Sequence, residues 1–376
     1  MARALTRRVV AVSLLLALGS AGGAGAQTIG PDLLIPGTAL PPQGALRLAA
    51  QISTRAAWSY FSVADGRSEL SDSLGGSMTT VAGGIETLWA FSPHAALFVS
   101  WLPGGVLASS FSADGQRRAT GFSPLHSGVW VKLSGDNGLW RGSAAPVSSG
   151  VALVAAIPMP WPDYRRELER LNQGLTYTPE NSGVRAWGFG YLLEGEWIAI
   201  RAPGLPGLSL WAAHDLLVFL PADYNSAGLR EFEENRIWQL LQDTESVDTI
   251  WYRYQAGAYL APRLRLHSAG GALWRVVLPL SFRYRPAPLF DRDIAVKDTQ
   301  EWELNLGVQA SVTLPQTRRH WELVFGYRAP LAGRNLRAEH QLSLAAVVDF
   351  TARTVASPPL FRRRSRSESS LRPYPR

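Results

Sequence analysis

The 376-residue chain contains no cysteine and only three methionines. Without cysteine, disulfides, a lipid-modified N-terminal cysteine and thiolate metal sites are all closed to it, so packing and strand pairing must carry its stability. Long apolar runs are the second absence. After residue 26 there is no stretch of eighteen uninterrupted apolar residues, which leaves no candidate transmembrane helix. The motifs of common chemistries are missing as well: no G-x-S-x-G, no H-E-x-x-H, no Walker A and no cysteine-based metal pattern. No cofactor or metal is implied. An excess of one charge is lacking from the body of the chain. The net charge of +7 comes from the ends: three arginines lie in the first 26 residues and seven in the tail from Thr351, leaving 27 basic and 29 acidic residues in 27–350. Nucleic acid is therefore not an expected partner.

What is present begins with an export signal. Arg3, Arg7 and Arg8 precede a short apolar run, Val9 to Leu18, and a small-residue stretch ending Ala24-Gly25-Ala26. That order is the pattern of a secretory signal peptide over 1–26, with cleavage expected between Ala26 and Gln27.

The mature chain then alternates. In Trp302–Leu314, the even positions Trp302, Leu304, Leu306, Val308, Ala310, Val312 and Leu314 are all apolar. The odd positions Glu303, Asn305, Gly307, Gln309, Ser311 and Thr313 are all small or polar. Side chains on a strand alternate faces, and about 9–11 tilted residues cross the hydrocarbon core. The same pattern recurs from Leu46, from Trp274, from Trp321 and in Gln341–Phe350, and strands near 78–91, 94–102, 127–134, 148–158, 185–200, 208–220 and 250–261 complete twelve. In 208–220, His214 and Asp215 fall on opposite faces, so one of them must meet lipid or a rim. Aromatics such as Trp58, Trp89, Trp274 and Trp321 stand at the edges of the apolar faces, where headgroup girdles form.

The fold class expected is all-β: a closed antiparallel transmembrane β-barrel of about twelve strands, within ten to fourteen because Leu107–Phe122 could form a further hairpin. Short links alternate with longer segments at 63–77, 103–124, 159–184, 221–249 and 286–300, as periplasmic turns alternate with extracellular loops. Helical patterns in Asp163–Leu171 and Gly228–Leu241 place helices in two outer loops, either as a lumen constriction or as a cap. The domain plan is a signal peptide (1–26), a Pro/Gly-rich segment (27–44), the barrel (45–350) and a basic, disordered periplasmic tail (351–376), with both mature termini in the periplasm.

By parity the inward faces carry Arg47, Arg55, Lys132, Arg253, Arg275, Arg283 and Arg328 with Glu86, Glu194, Glu196, Glu303, Glu322 and Asp349. Two readings follow. The charges pair and fill a narrow interior, or they line a polar path and tune its selectivity. His126 and His340 lie near the outer rim, where a barrel hydrolase would place catalytic groups. Neighbours on one strand point to opposite faces, so His126-Ser127 and His214-Asp215 cannot act as nucleophile–base pairs.

Phe91-Ser92-Pro93-His94, Val151–Pro158 ending in proline, Gly257-Ala258-Tyr259-Leu260 and the closing Leu342–Phe350 together resemble the transporter-type barrels grouped with fatty-acid (FadL-like) and aromatic-hydrocarbon uptake channels. Residues 27–44, QTIGPDLLIPGTALPPQG, lack the Asn-Pro-Ala of fatty-acid channels. The strand ending at Phe350 is similar to the terminal signal read by the barrel-assembly machinery. The resemblance implies a Gram-negative outer-membrane location, lipid and assembly-machinery partners, and passive uptake or efflux of a small, possibly hydrophobic solute. The rival functions are a plugged barrel whose outer loops bind a partner, and an outer-membrane hydrolase.

Overall fold

The computed structural model describes residues 40–61, 67–69, 77–101, 106–111, 117–122, 124–135, 138–139, 147–158, 187–200, 206–220, 222–223, 249–251, 253–267, 272–287, 289–290, 294–295, 300–314 and 320–350. The signal peptide, the two helical loop patterns and the basic tail lie outside the described residues.

Twelve antiparallel strands form one closed sheet. They are β1 (Leu46–Ala57), β2 (Met78–Trp89), β3 (Ala95–Ser100, continued by Val106–Phe111), β4 (Arg117–Phe122, continued by Leu125–Ser134), β5 (Val147–Ile157) and β6 (Gly188–Ile200). The rest are β7 (Gly207–Phe219), β8 (Tyr254–His267), β9 (Leu273–Val277 and Leu280–Arg285), β10 (Glu301–Leu314), β11 (His320–Arg334) and β12 (His340–Phe350). Each pairs with its neighbours in sequence, and β1 also pairs with β12, from Leu46↔Phe350 to Ala56↔His340. That seam closes the sheet, so each of the twelve strands has a partner on each side; among the described residues the Arg117–Phe122 part of β4 is paired on one side, with Val106–Phe111.

Strand order defines two ends. The near end holds Leu46 and Phe350, and the far end holds Ala57 and His340. The segment Leu107–Phe122 is not an extra barrel hairpin. Val106–Phe111 continue β3 beside Met78–Gly83 of β2, and Val106↔Phe122 through Phe111↔Arg117 continue the β3–β4 ladder towards the far end. Two small sheets also stand at the far end: 59–61 with 67–69 and 336–337, and 222–223 with 249–251, 289–290 and 294–295. The link from β11 to β12 is tight, with Asn335 in the left-handed region at φ 55°.

Alternation decides which face each residue shows. Leu153 (63%), Ile85 (52%), Phe189 (51%) and Phe325 (51%) are exposed, whereas their chain neighbours Ala152, Val154, Glu86 and Val324 are buried. A closed sheet whose outer surface is predominantly apolar belongs in hydrocarbon, because water would penalise a patch of that size. Exposed rings mark its borders. Trp89, Phe91, Trp197 and Trp274 ring the near end, and Trp58, Trp187 and Phe189 ring the far end. Twelve residues along a strand tilted by about 40° put the two girdles roughly 30 Å apart, which matches a bilayer core. His214 is the polar residue on the outer face of β7, stacked at 5.8 Å on Tyr191, while Asp215 is fully buried within. Among the described residues, no helix is long and apolar enough to cross a membrane.

The segment before β1 turns into the near mouth. Gly44, at φ 80°, bonds Ala90 through its N–H, Pro41 is buried, and Leu40 packs on an apolar cluster inside the barrel.

Candidate functional site

The interior is divided. From β2 to the start of β9, the inward faces contribute one contiguous apolar cluster that includes Phe98, Trp130, Val154, Leu192, Trp211, Leu217, Phe219 and Tyr259. From β9 through β12 to β1 the inward faces are mostly charged and amide side chains.

On the charged side the partners follow from register. Arg283 and Glu303 are directly opposed across β9–β10 and join at 3.0 Å; Arg285 and Glu301, two residues on, join at 2.9 Å. Arg285 also reaches Gln255 at 3.0 Å. Arg47 and Asp349, opposed at the β1–β12 seam, form a two-pronged pair at 2.5 and 2.8 Å. Arg328 donates to its opposite number Gln341 at 2.7 Å. Arg275 on β9 crosses β10 to Glu322 on β11 at 3.3 Å. At the far end, Arg55 lies 3.7 Å from Glu339 in the β11–β12 link, where burial holds the Glu339 carboxyl above the ordinary carboxylate value despite that arginine.

On the apolar side two glutamates are held by aromatic and basic neighbours. Glu194 accepts from the Trp130 indole N–H at 2.9 Å and from the Trp211 indole N–H at 3.1 Å, one to each oxygen. Trp130 is on β4 and Glu194 on β6, so the indole must cross β5. It does so at Gly150, which sits between Lys132 and Glu194 in the ladder. A Cβ there would overlap the ring, whose Cε2 and Cη2 atoms stand 2.9 Å from that point. Glu196 takes Ser209 at 2.6 Å, Arg265 at 2.9 Å and Arg263 at 3.6 Å, and the Arg263 guanidinium lies 4.8 Å over the Trp211 ring. Gly257 works as Gly150 does: a Cβ would strike the Asp215 carboxylate and the Tyr259 hydroxyl that converge over it.

Each pair named runs sideways along the wall, between adjacent strands or over one intervening strand. Of the residues that parity turned inward, Arg47, Arg55, Arg275, Arg283, Glu194, Glu196, Glu303, Glu322 and Asp349 belong to these braces, and Arg328 joins them through Gln341. Glu86 (2% exposed) and Lys132 (8%) are buried on β2 and β4. Arg253 stands apart, exposed at the far end of β8. Phe350 closes the β12 ladder opposite Leu46. The two histidines weighed for catalysis face opposite ways. His126 is buried inside, whereas His340 sits outside, stacked at 4.5 Å on Trp58 and 2.8 Å from the Tyr327 hydroxyl.

Sequence reasoning missed Tyr259, Arg263, Arg265, Arg285 and Glu301. Arg285 and Glu301 sit just beyond the segments taken for strands, and Tyr259 reads as another apolar residue. The only signal for the indole bracket was a glycine at an inward position flanked by tryptophan-bearing strands.

At mid-height, where the two sides meet, an interior cleft of ≈ 60 Å³ opens between β8, β9, β10, β11, β12 and β1. Gln51, Ser281, Arg283, Gln309, Arg328 and Ser343 line it with Tyr259. Room on that scale admits a few waters or one small polar group.

No protein-family model matches the chain, and no curated protein matches it. Solved structures do. An outer membrane channel from Pseudomonas putida F1 aligns over 84% of this chain and 100% of its own, at 14% identity and a TM-score of 0.57. A monoaromatic hydrocarbon channel, CymD, aligns at 10% identity and a TM-score of 0.30, covering 89% of this chain and 98% of its own. A Pseudomonas aeruginosa FadL homologue, at 12% identity and a TM-score of 0.30, covers 88% of this chain and 96% of its own. The first of these likenesses shows the fold alone, a closed barrel like that of the outer membrane channel.

Proposed function

We propose that the protein is an outer-membrane channel through which a small solute passes down its gradient. The observation that carries this reading is the direction of the interior braces. Charges that joined opposite walls would block the axis, whereas these lie along the wall and leave a polar and aromatic lining. A lining of mixed sign, with an apolar side, suits a small solute with some apolar character better than a simple ion. On this reading both mature termini lie in the periplasm and the β3–β4 hairpin lies outside. The residues proposed to line the path are those of the braces, together with Glu86 and Lys132.

A plugged barrel is the second reading, favoured by Leu40 and Pro41, which enter the near mouth and cover part of the apolar cluster. Single-channel recording of the refolded mature protein in a planar bilayer separates the two. Steady conductance supports the channel. Silence from protein whose gel migration is heat-modifiable, as a folded barrel's is, sinks the open-channel reading and leaves the plugged one.

A further inference from the structure

We infer that the mid-height cleft is a binding site for a carboxylate, and that the channel's solute is a small organic acid whose apolar body lies on the aromatic side. The inference rests on the channel reading for its transport role but not for binding itself.

Three observations converge. First, the cleft is lined by two guanidinium groups, Arg283 and Arg328, and by the hydroxyls and amides of Ser281, Ser343, Gln51, Gln309 and Gln341; among the described residues, no carboxylate lines it. Glu303 stands behind, bonded to Arg283 and within electrostatic reach of Arg328, so it holds the guanidiniums in place without occupying the cleft. Forked donors on β9 and β11, either side of β10, match the two oxygens of a carboxylate, and such charge-assisted bonds are the strong ones.

Second, Gln51 is buried at 7% exposure, lines the cleft, and has an amide oxygen with no hydrogen-bond partner. A buried acceptor left unsatisfied is costly, so a group that donates to it there, a solute hydroxyl or a water held by the carboxylate, is favoured. Third, Tyr259 belongs to both sides. It lines the cleft and is also a member of the apolar cluster, 6.4 Å from the Trp211 ring. A head group in the cleft therefore delivers its tail onto Tyr259 and its aromatic neighbours, without crossing a polar gap. Ions that lack a tail gain only the head-group contact, and neutral rings gain only the wall.

Three probes dissect these contributions: benzoate, benzyl alcohol, which keeps the ring, and acetate, which keeps the charge. Binding to detergent-solubilised full-length barrel is measured by titration calorimetry, and block of single-channel current is measured in parallel. Benzoate should bind at least tenfold tighter than either fragment. Arg328→Gln should weaken benzoate about tenfold and leave benzyl alcohol unchanged, while His214→Gln, on the outer face, should alter nothing. A second variant is Gly326→Ala, whose added Cβ would stand 2.6 Å from the Ser343 hydroxyl and narrow the cleft without removing a charge; it should weaken benzoate as well. Equal binding of benzoate and benzyl alcohol, or benzoate binding indifferent to both variants, overturns the inference even if the channel conducts. Arg328-dependent benzoate binding by a barrel that never conducts keeps the site and sinks the channel.

Discussion

The bracket formed by Trp130, Gly150 and Glu194 makes a sharp prediction. Replacing Gly150 with alanine places a methyl group where the Trp130 ring now lies across β5. The ring is too wide to yield by a small rotation, so it must lift off the wall. Overpacking of this kind costs about 1–3 kcal/mol. Lifting also breaks the 2.9 Å bond from the indole to Glu194, and losing a bond to a buried charged group costs about 1.5–3 kcal/mol. Glu194 keeps Trp211, which limits the second loss. The sum is a destabilisation of about 2–5 kcal/mol for a single methyl group. Denaturant unfolding of the barrel in detergent or vesicles, followed by tryptophan fluorescence, measures it. The test of the reasoning is a cycle with Trp130→Ala. Once the indole is gone the methyl has nothing to strike, so Gly150→Ala should then cost within about 0.5 kcal/mol of nothing. An equal cost in both backgrounds would refute the bracket and leave only a strand effect at Gly150.

Three further outcomes are expected. Leu153→Arg, at the centre of the outer face of β5, should destabilise the barrel by about 2–4 kcal/mol in vesicles, whereas the same change at the far rim should cost much less; equal costs would refute the lipid belt. Asp349→Asn should lower the midpoint of heat-modifiable gel migration by weakening the seam pair with Arg47, a loss of about 1–3 kcal/mol, and no change in midpoint would mean that backbone pairing alone holds the seam. Glu339→Gln should stabilise the protein at about pH 8, because burial raises the Glu339 carboxyl and makes its ionised form the costly one. That penalty is absent below the unfolded carboxylate value and grows as pH rises towards the folded one, so the gain should vanish by about pH 4. A loss of stability at high pH instead would show that the bond to Arg55 outweighs burial.

Much of the fold was legible because alternation in a barrel is enforced by two different solvents. Trp302–Leu314 declares its faces residue by residue, and so does Gln341–Phe350. Legibility fails where the interior is itself apolar. On β5 and β7 both faces carry apolar residues, so Val154, Leu217 and Phe219 give no hint that they point inward. It fails again where pairing depends on register. Arg283 and Glu303 are twenty residues apart, and only the ladder places them opposite each other. Trp130 and Glu194 are further removed still, joined over a strand that contributes only the space left by a missing side chain. His214 and Asp215 posed their question openly in the sequence, and burial answered it. The cleft could not be foreseen, since it needs six strands brought together at one height.

The seam has a consequence for how the molecule comes into being. Arg47 and Asp349 are 302 positions apart, so the contact that shuts the cylinder becomes possible only once the twelfth strand has been made. Closing so long a loop carries a large entropic penalty and, by its contact order, a slow rate. Until β12 arrives, β1 waits with an open row of peptide groups able to pair with any passing strand. A chain cut short anywhere before Phe350 would thus be caught as a curved sheet with two adhesive borders. Newly made chains need shelter during that interval, and the finished protein, having no borders, needs none.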